Sequence, residues 1–124
     1  MNGLSVLVVE DDPSSTTVVR DALEFEGCDV TCVTSGEEAC EVVRRGLVPA
    51  IALVDYLLPG MNGIDTIARM RQMPELTTTR YLLVTASVMS HQTSEFTAAG
   101  IPHYAKPIRR PELMARIRSV LEGA

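Results

Sequence analysis

The sequence predicts an α/β fold, a doubly wound five-stranded parallel sheet with helices on both faces. Three observations predict it. Short, continuous apolar runs rich in valine recur along the chain and read as strands buried on both faces. Between them lie segments with apolar residues at helical spacing, punctuated by Gly, Pro and Ser. No hairpin signal joins any two strands, so five βα units in tandem form a parallel sheet through right-handed crossovers.

Leu4 to Val9 is the first such run, and it ends abruptly in Glu10-Asp11-Asp12-Pro13. Ser14 and Ser15 are candidate caps for a first helix, whose Val18, Val19, Ala22 and Leu23 form one stripe before Gly27 stops it. Cys28 to Val33 reads as the second strand. The second helix starts at Ser35-Gly36-Glu37-Glu38 and runs through Ala39, Val42 and Val43 to Gly46. Ile51 to Val54 is the third strand, ending at Asp55, and Leu58-Pro59-Gly60-Met61-Asn62-Gly63 is a turn. Ile64, Ile67, Ala68 and Met70 mark the third helix, and Tyr81 to Val84 the fourth strand, ending at Thr85. A fourth helix over Ser90 to Ala99 has a thin pattern. Ile101 to Tyr104 is a short fifth strand, broken by Lys106-Pro107. Leu113, Met114, Ile117, Val120 and Leu121 then follow the spacing of an amphipathic last helix.

The 124 residues are one domain's worth of chain (1–124), and 46% hydrophobic against 22% charged residues supplies a core, which excludes disorder. No apolar run approaches the roughly 20 residues of a membrane helix, and MNGLSVLVVEDD reaches acid too soon for a signal peptide. Eleven Lys+Arg against 16 Asp+Glu leave a net charge of −5, which argues against direct nucleic-acid or membrane binding. Cys28, Cys32 and Cys40 cannot all pair. Cys28 and Cys32 lie four apart on one strand, roughly 13 Å at strand rise and too far to bridge. The expectation is a reduced, cytoplasmic chain with no zinc spacing.

Ligand chemistry on such a sheet sits at the carboxyl ends of the strands. There the first strand delivers Glu10, Asp11 and Asp12, the third Asp55, the fourth Thr85, and the fifth leads into Lys106. Crowded carboxylates repel one another and are tolerable only with a bound cation or raised pKa values. Hard oxygen donors without His or Cys favour Mg²⁺ or Mn²⁺ over zinc or copper. A carboxylate not consumed by the metal is a nucleophile toward a phosphoryl group, with metal, lysine and hydroxyl neutralising the equatorial oxygens.

Val8-Val9-Glu10-Asp11-Asp12-Pro13, Val54-Asp55 with Pro59-Gly60-Met61-Asn62-Gly63, Val84-Thr85-Ala86 and Lys106-Pro107 together resemble the receiver domain of two-component response regulators. The resemblance covers essentially the whole chain. Its motifs are jointly specific: 44 residues separate Asp11 from Asp55, and 30 separate Asp55 from Thr85. It implies a flavodoxin-like strand order and makes Asp55 the phosphoacceptor, taking its phosphoryl group from a histidine kinase or histidine phosphotransfer protein. It implies a Mg²⁺ site of Glu10, Asp11, Asp55 and the backbone carbonyl of Leu57, with Asp11 favoured over Glu10 as a direct ligand. Asp12 falls just past the acidic pair and caps or steers the first helix. Lys106 would pair with one phosphoryl oxygen and Thr85 would hydrogen-bond another, drawing its loop inward. The resemblance further implies a cis Lys106-Pro107 peptide. It makes the face of helix 4, strand 5 and helix 5 the docking surface for a downstream target, an output domain or a dimer partner on phosphorylation. The basic flank Arg109, Arg110, Arg116 and Arg118 reads either as part of that surface or as a solvated helix face.

The chain departs from the family pattern at the ring position three before the lysine. His103 stands where an aromatic switch residue is usual, and Tyr104 follows it. Histidine there is found among phosphorelay receivers; the alternative is that His103 is a strand residue and Tyr104 packs. Leu57 and Ser87 occupy the two places that tune self-dephosphorylation, and an apolar Leu57 cannot orient an attacking water. A long-lived acyl phosphate is therefore expected, whether Leu57 merely fails to help or also shields. The first helix offers a kinase-side partner little apolar surface.

The expected function is a phosphoacceptor switch rather than a turnover enzyme, either stand-alone or the receiver part of a longer regulator. An aspartyl phosphohydrolase needs a second acid just past the nucleophile, and Tyr56-Leu57 supply none. A flavin module needs a Ser/Thr/Gly-rich phosphate loop after the first strand, which is missing. The alternative is a pseudo-receiver, a protein-binding module independent of phosphorylation, although such chains normally lose one of the Asp/Thr/Lys set.

Overall fold

Alternation along the strands decides how the chain is layered, because successive side chains of a strand leave its two faces. In the computed structural model, which describes residues 1–86 and 90–123, the first strand is β1 (Ser5–Val9). It sends Leu7 and Val9 to one face and Val6 and Val8 to the other. The remaining elements are α1 (Pro13–Phe25), β2 (Asp29–Val33), α2 (Gly36–Arg44), β3 (Ile51–Asp55), α3 (Gly63–Arg71), β4 (Arg80–Thr85), α4 (Ser90–Ala98), β5 (His103–Ala105) and α5 (Arg110–Glu122). A single 3₁₀ turn, Pro74–Leu76, interrupts the α3–β4 connection.

All strand pairs are parallel, in the order β2-β1-β3-β4-β5, so the sheet is the doubly wound, flavodoxin-like one. One core packs Leu7, Val9, Ala52, Val54 and Leu83 against Cys40 and Val43 of α2, Ile67 and Met70 of α3, and Phe96 of α4. The other packs Val6, Val8, Ile51, Leu53, Leu82 and Val84 against Val19 and Leu23 of α1 and Leu113, Met114 and Ile117 of α5. Two buried faces on the central strands β1, β3 and β4 explain their unbroken apolar runs.

Asp12, not Ser14 or Ser15, caps α1: its carboxylate accepts from the Ser15 amide at 3.0 Å and the Ser15 hydroxyl at 2.9 Å. Pro13 fits the first helical position, where an amide would be unsatisfied in any case. Ser35 and Asn62 cap α2 and α3 in the same way. Gly27, at φ +85°, closes α1 with paired bonds from the Gly27 amide to Glu24 and from the Cys28 amide to Leu23.

Three expectations need correction. Val18 is half-exposed, because it lies at the border of the α1 stripe carried by Val19, Ala22 and Leu23. Ala68 points to solvent and Thr66 is buried in its place, its hydroxyl donating back to the Asn62 carbonyl at 2.9 Å. The fifth strand is His103–Ala105 rather than Ile101–Tyr104. Pro102 has no amide to donate and offers only its carbonyl to the Leu83 amide, while Ile101 is committed to the α4-side core.

Gly63 sets the approach of α3 to the end of β3. A Cβ there would lie 2.4 Å from the Asp55 carbonyl oxygen and 2.7 Å from Leu83 Cδ1. The Gly63→Ala variant should therefore lose about 1–3 kcal/mol of stability by overpacking, read as a lower urea midpoint at unchanged slope. An unchanged midpoint would mean that α3 is free to shift away from Asp55.

Candidate functional site

The ladder register assembles the site. Val9 pairs with Val54, so the chain's next residues, Glu10 and Asp55, leave neighbouring strands side by side. The Glu10 amide donates to the Val33 carbonyl at 3.0 Å and stays in line with the strand. On the other side Asp55 pairs with Val84, and Thr85, the next residue, ends β4. Thr85 pairs with Ala105, and its carbonyl accepts from the Lys106 amide at 2.8 Å, which carries the lysine to the same edge. The Lys106-Pro107 peptide is cis.

Carboxylate oxygens of Glu10, Asp11 and Asp55 all lie within 4.8 Å of one another. Glu10 and Asp55 are buried and Asp11 is exposed. The Lys106 ammonium donates to Glu10 Oε1 at 2.8 Å and to Ser15 Oγ at 3.2 Å, and stands 3.9 Å from Asp55 Oδ2. The one cation of the cluster thus compensates Glu10 first and reaches Asp55 from a distance. Asp12 lies outside the cluster; its bond from the Ser15 amide holds its carboxyl below the usual range.

Burial pushes the Asp55 carboxyl up to about 7, assisted by the hydrogen bond and charge of Glu10; the Lys106 charge and the Leu57 amide oppose the rise. Desolvation outweighs the lysine here because the ammonium is spent on Glu10. A chain that holds this carboxyl neutral relieves repulsion by proton uptake, the alternative to cation binding. The donor set, three carboxylates with no His or Cys, fits a hard divalent cation.

The remaining candidates are placed as follows. Thr85 is buried at the end of β4. The Leu57 side chain is 68% exposed, so it does not roof the site. Ser87 lies outside the described residues. His103 and Tyr104 face opposite ways. His103 is half-buried on the α4 side, its ring 5.5 Å from Phe96 at 54°. Tyr104 is buried in the α1/α5 core, its hydroxyl accepting from the Arg109 amide at 3.1 Å and lying 3.5 and 3.4 Å from the Pro107 and Arg109 carbonyls.

Sequence reasoning had named Ser15 only as a cap, and its contact with Lys106 spans 91 residues with no local signal. It also missed a run of rings from the acid site to β5. Tyr56, next to Asp55, packs edge-on against Phe96 at 5.2 Å and donates to Glu95 at 3.4 Å, and Phe96 meets His103. The apolar surface of α1 is larger than the sequence suggested: Val18 is 49% exposed and Phe25 69%, the latter under the Arg110 guanidinium at 3.7 Å. Among the described residues no helix is long and apolar enough to cross a membrane.

A five-stranded parallel sheet with an acidic cluster, a hydroxyl and a lysine at its carboxyl edge defines a receiver-type signalling module. Residues 6–118 match the response regulator receiver domain family, and the chain belongs to it. It is 34% identical over 120 residues to the phosphate regulon transcriptional regulatory protein PhoB of Rhizobium meliloti, covering 96% of this chain and 52% of that protein. It is 34% identical over 117 residues to the DNA-binding response regulator MtrA of Mycolicibacterium smegmatis, covering 94% and 50%. The chain thus spans about half the length of these curated relatives. Among solved structures, a putative response regulator from Chloroflexus aurantiacus superposes with a TM-score of 0.88 at 30% identity over 97% of this chain and 98% of that one. The receiver domain of sensor histidine kinase PA1611 from Pseudomonas aeruginosa, which holds a magnesium ion in its active site cleft, gives 0.86 at 27% identity over 96% and 98%.

A carboxyl that ionises near 7 folded but near 3.8 unfolded holds its proton longer in the folded chain. The stability this confers is complete below the unfolded value and is lost as pH rises through about 7. In EDTA, the stability of the chain should therefore fall by about 2–3 kcal/mol between roughly pH 5 and pH 8. Asp55→Asn should abolish most of that fall, and thermal melts at the two pH values read both.

Proposed function

We propose that this chain is a Mg²⁺-dependent phosphoacceptor switch that takes a phosphoryl group from a phosphohistidine onto Asp55. The observation that carries the reading is the buried Asp55 carboxylate beside Glu10 and Asp11, with the Lys106 ammonium 3.9 Å away. Membership of the receiver family supports it. Bound to Glu10, Asp11, Asp55 and the Leu57 carbonyl, Mg²⁺ would supply charge neutralisation for the phosphoryl oxygens.

Asp55 must be ionised to act, so occupancy of the acidic pocket and loss of its proton go together. An Asp55 carboxylate oxygen forms the new bond to phosphorus. The bond from phosphorus to the donor imidazole nitrogen breaks, and its electron pair stays on that nitrogen. Lys106 exchanges part of its contact with Glu10 for a phosphoryl oxygen, a short move for an ammonium on a flexible stem. Thr85 donates its hydroxyl to a second oxygen. No side chain at 57 offers the attacking water a hydrogen bond, so the acyl phosphate is long-lived.

The donor is a histidine kinase or phosphotransfer protein that docks over α1, where Val18 presents apolar surface. The output runs through the face of α4, β5 and α5, with His103 as its switch ring. A shallow groove of about 550 Å³ there, walled by His103, Tyr104, Ala105, Glu112, Ala115 and Arg116, receives a target protein, an output domain or a second copy. The protein acts in the cytoplasm as a switch, with no direct nucleic-acid contact by these residues.

Incubation with a small phosphodonor and Mg²⁺ should add one phosphoryl group by intact mass, and none in Asp55→Asn or in EDTA. Absence of an adduct, together with no beryllofluoride complex, would sink the proposal and leave a phosphorylation-independent binding module. The adduct of Leu57→Asn should decay several-fold faster than that of the parent chain, because the amide can orient water. Equal decay would mean that position 57 does not set the lifetime.

A further inference from the structure

The helices run back against the strands, so their carboxyl ends gather at the sheet edge opposite the acids. A cavity of about 640 Å³ opens there, within the size range of small-molecule sites. Its charged lining is Arg71 at the end of α3, Arg80 at the start of β4 and Arg116 of α5, and no carboxylate residue lines it. None of the three arginines forms an ion pair among the described residues. That is a marked concentration of cations without a carboxylate partner in a chain of net charge −5.

Two of the guanidinium groups are held in place by backbone. Arg71 donates to the Ala99 and Gly100 carbonyls at 2.9 and 3.1 Å and sits 5.7 Å from the centre of the Tyr81 ring. Arg80 reaches the Val120 carbonyl at 3.5 Å. Arg116 has no hydrogen-bond partner among the described residues. A guanidinium carries five donors, so each of the three keeps donors for an anion. Thr77 and Ser119 add hydroxyls to the lining. Leu76, Tyr81, Pro102 and Val120 give it an apolar wall, and the buried Tyr81 hydroxyl has no partner among the described residues.

We propose that this cavity is a second ligand site, separate from the acid site, for a phosphorylated small molecule of nucleotide size. Its phosphates pair with Arg80 and Arg116 and its planar group lies on the apolar wall. Phosphate geometry matches guanidinium forks, and the apolar part of an otherwise polar lining takes the planar end of such a molecule. The acid site repels such a ligand unless metal is present, so metal-free conditions separate the two sites.

The test is a titration of the isotope-labelled chain with ATP in EDTA, followed by amide and arginine side-chain resonances. Saturable shifts are expected in residues 71–81, 99–102 and 116–123, with a submillimolar Kd that weakens about tenfold in Arg116→Gln and in Arg80→Gln. Both side chains are exposed, so these variants should melt like the parent. No saturable shift by about 5 mM ATP, or affinity unaltered in both variants, would overturn the site. Tripolyphosphate should bind more weakly than ATP; equal binding would overturn the nucleotide assignment. The outcome does not depend on whether Asp55 accepts phosphate.

Discussion

Two buried carboxylates and one exposed carboxylate share an edge of the sheet with a single ammonium, and much of the molecule is arranged around that imbalance. Removing charge from water is costly, and one lysine at 2.8 Å from Glu10 cannot also neutralise Asp55 at 3.9 Å. The fold tolerates the deficit because the backbone leaves it no exit. Glu10 is fixed by the Val33 carbonyl, Asp55 is the last residue of a fully buried strand, and Lys106 is fixed through the Thr85 carbonyl. A one-residue slip of β3 would turn Asp55 to the opposite face, which the apolar pattern on both sides forbids. The same register that builds the core therefore enforces the electrostatic strain, and a cation or a proton must relieve it.

Much of this was legible in the residues because buried parallel strands announce themselves as unbroken valine-rich runs, and the acids stand where those runs stop. Glu10, Asp11, Asp55, Thr85 and Lys106 could be placed at one edge from strand ends alone. What was not legible depends on side-chain direction or on distant packing. Val18 and Ala68 match a helical stripe as well as their buried neighbours do, and only the position of the helix on the sheet separates them. Pro102 shortens β5 because a missing amide counts only once its partner strand is known. The Ser15 contact with Lys106 and the meeting of Tyr56, Phe96 and His103 join segments far apart in the chain, so no local pattern carries them.

The adjacent residues His103 and Tyr104 lie on the two faces of the sheet and are held in different ways. Tyr104 is tied by its hydroxyl into the turn that opens α5. Among the described residues the His103 ring meets Phe96, which in turn meets Tyr56, whose backbone follows Asp55 directly.

Charge is also divided along the strand axis. The amino end of α1 follows the acids at Pro13 and that of α3 packs Gly63 against the Asp55 carbonyl, so both bring positive dipole ends to this edge. Those ends favour additional negative charge, as a phosphoryl group would bring, at a place where carboxylates already compete for one lysine. At the opposite edge the carboxyl ends of α3 and α5 meet Arg71, Arg80 and Arg116, of which two are occupied in part by helix-end or loop carbonyls. The acid edge sets three carboxylates against one lysine, and among the described residues the far edge gathers three arginines that form no ion pair.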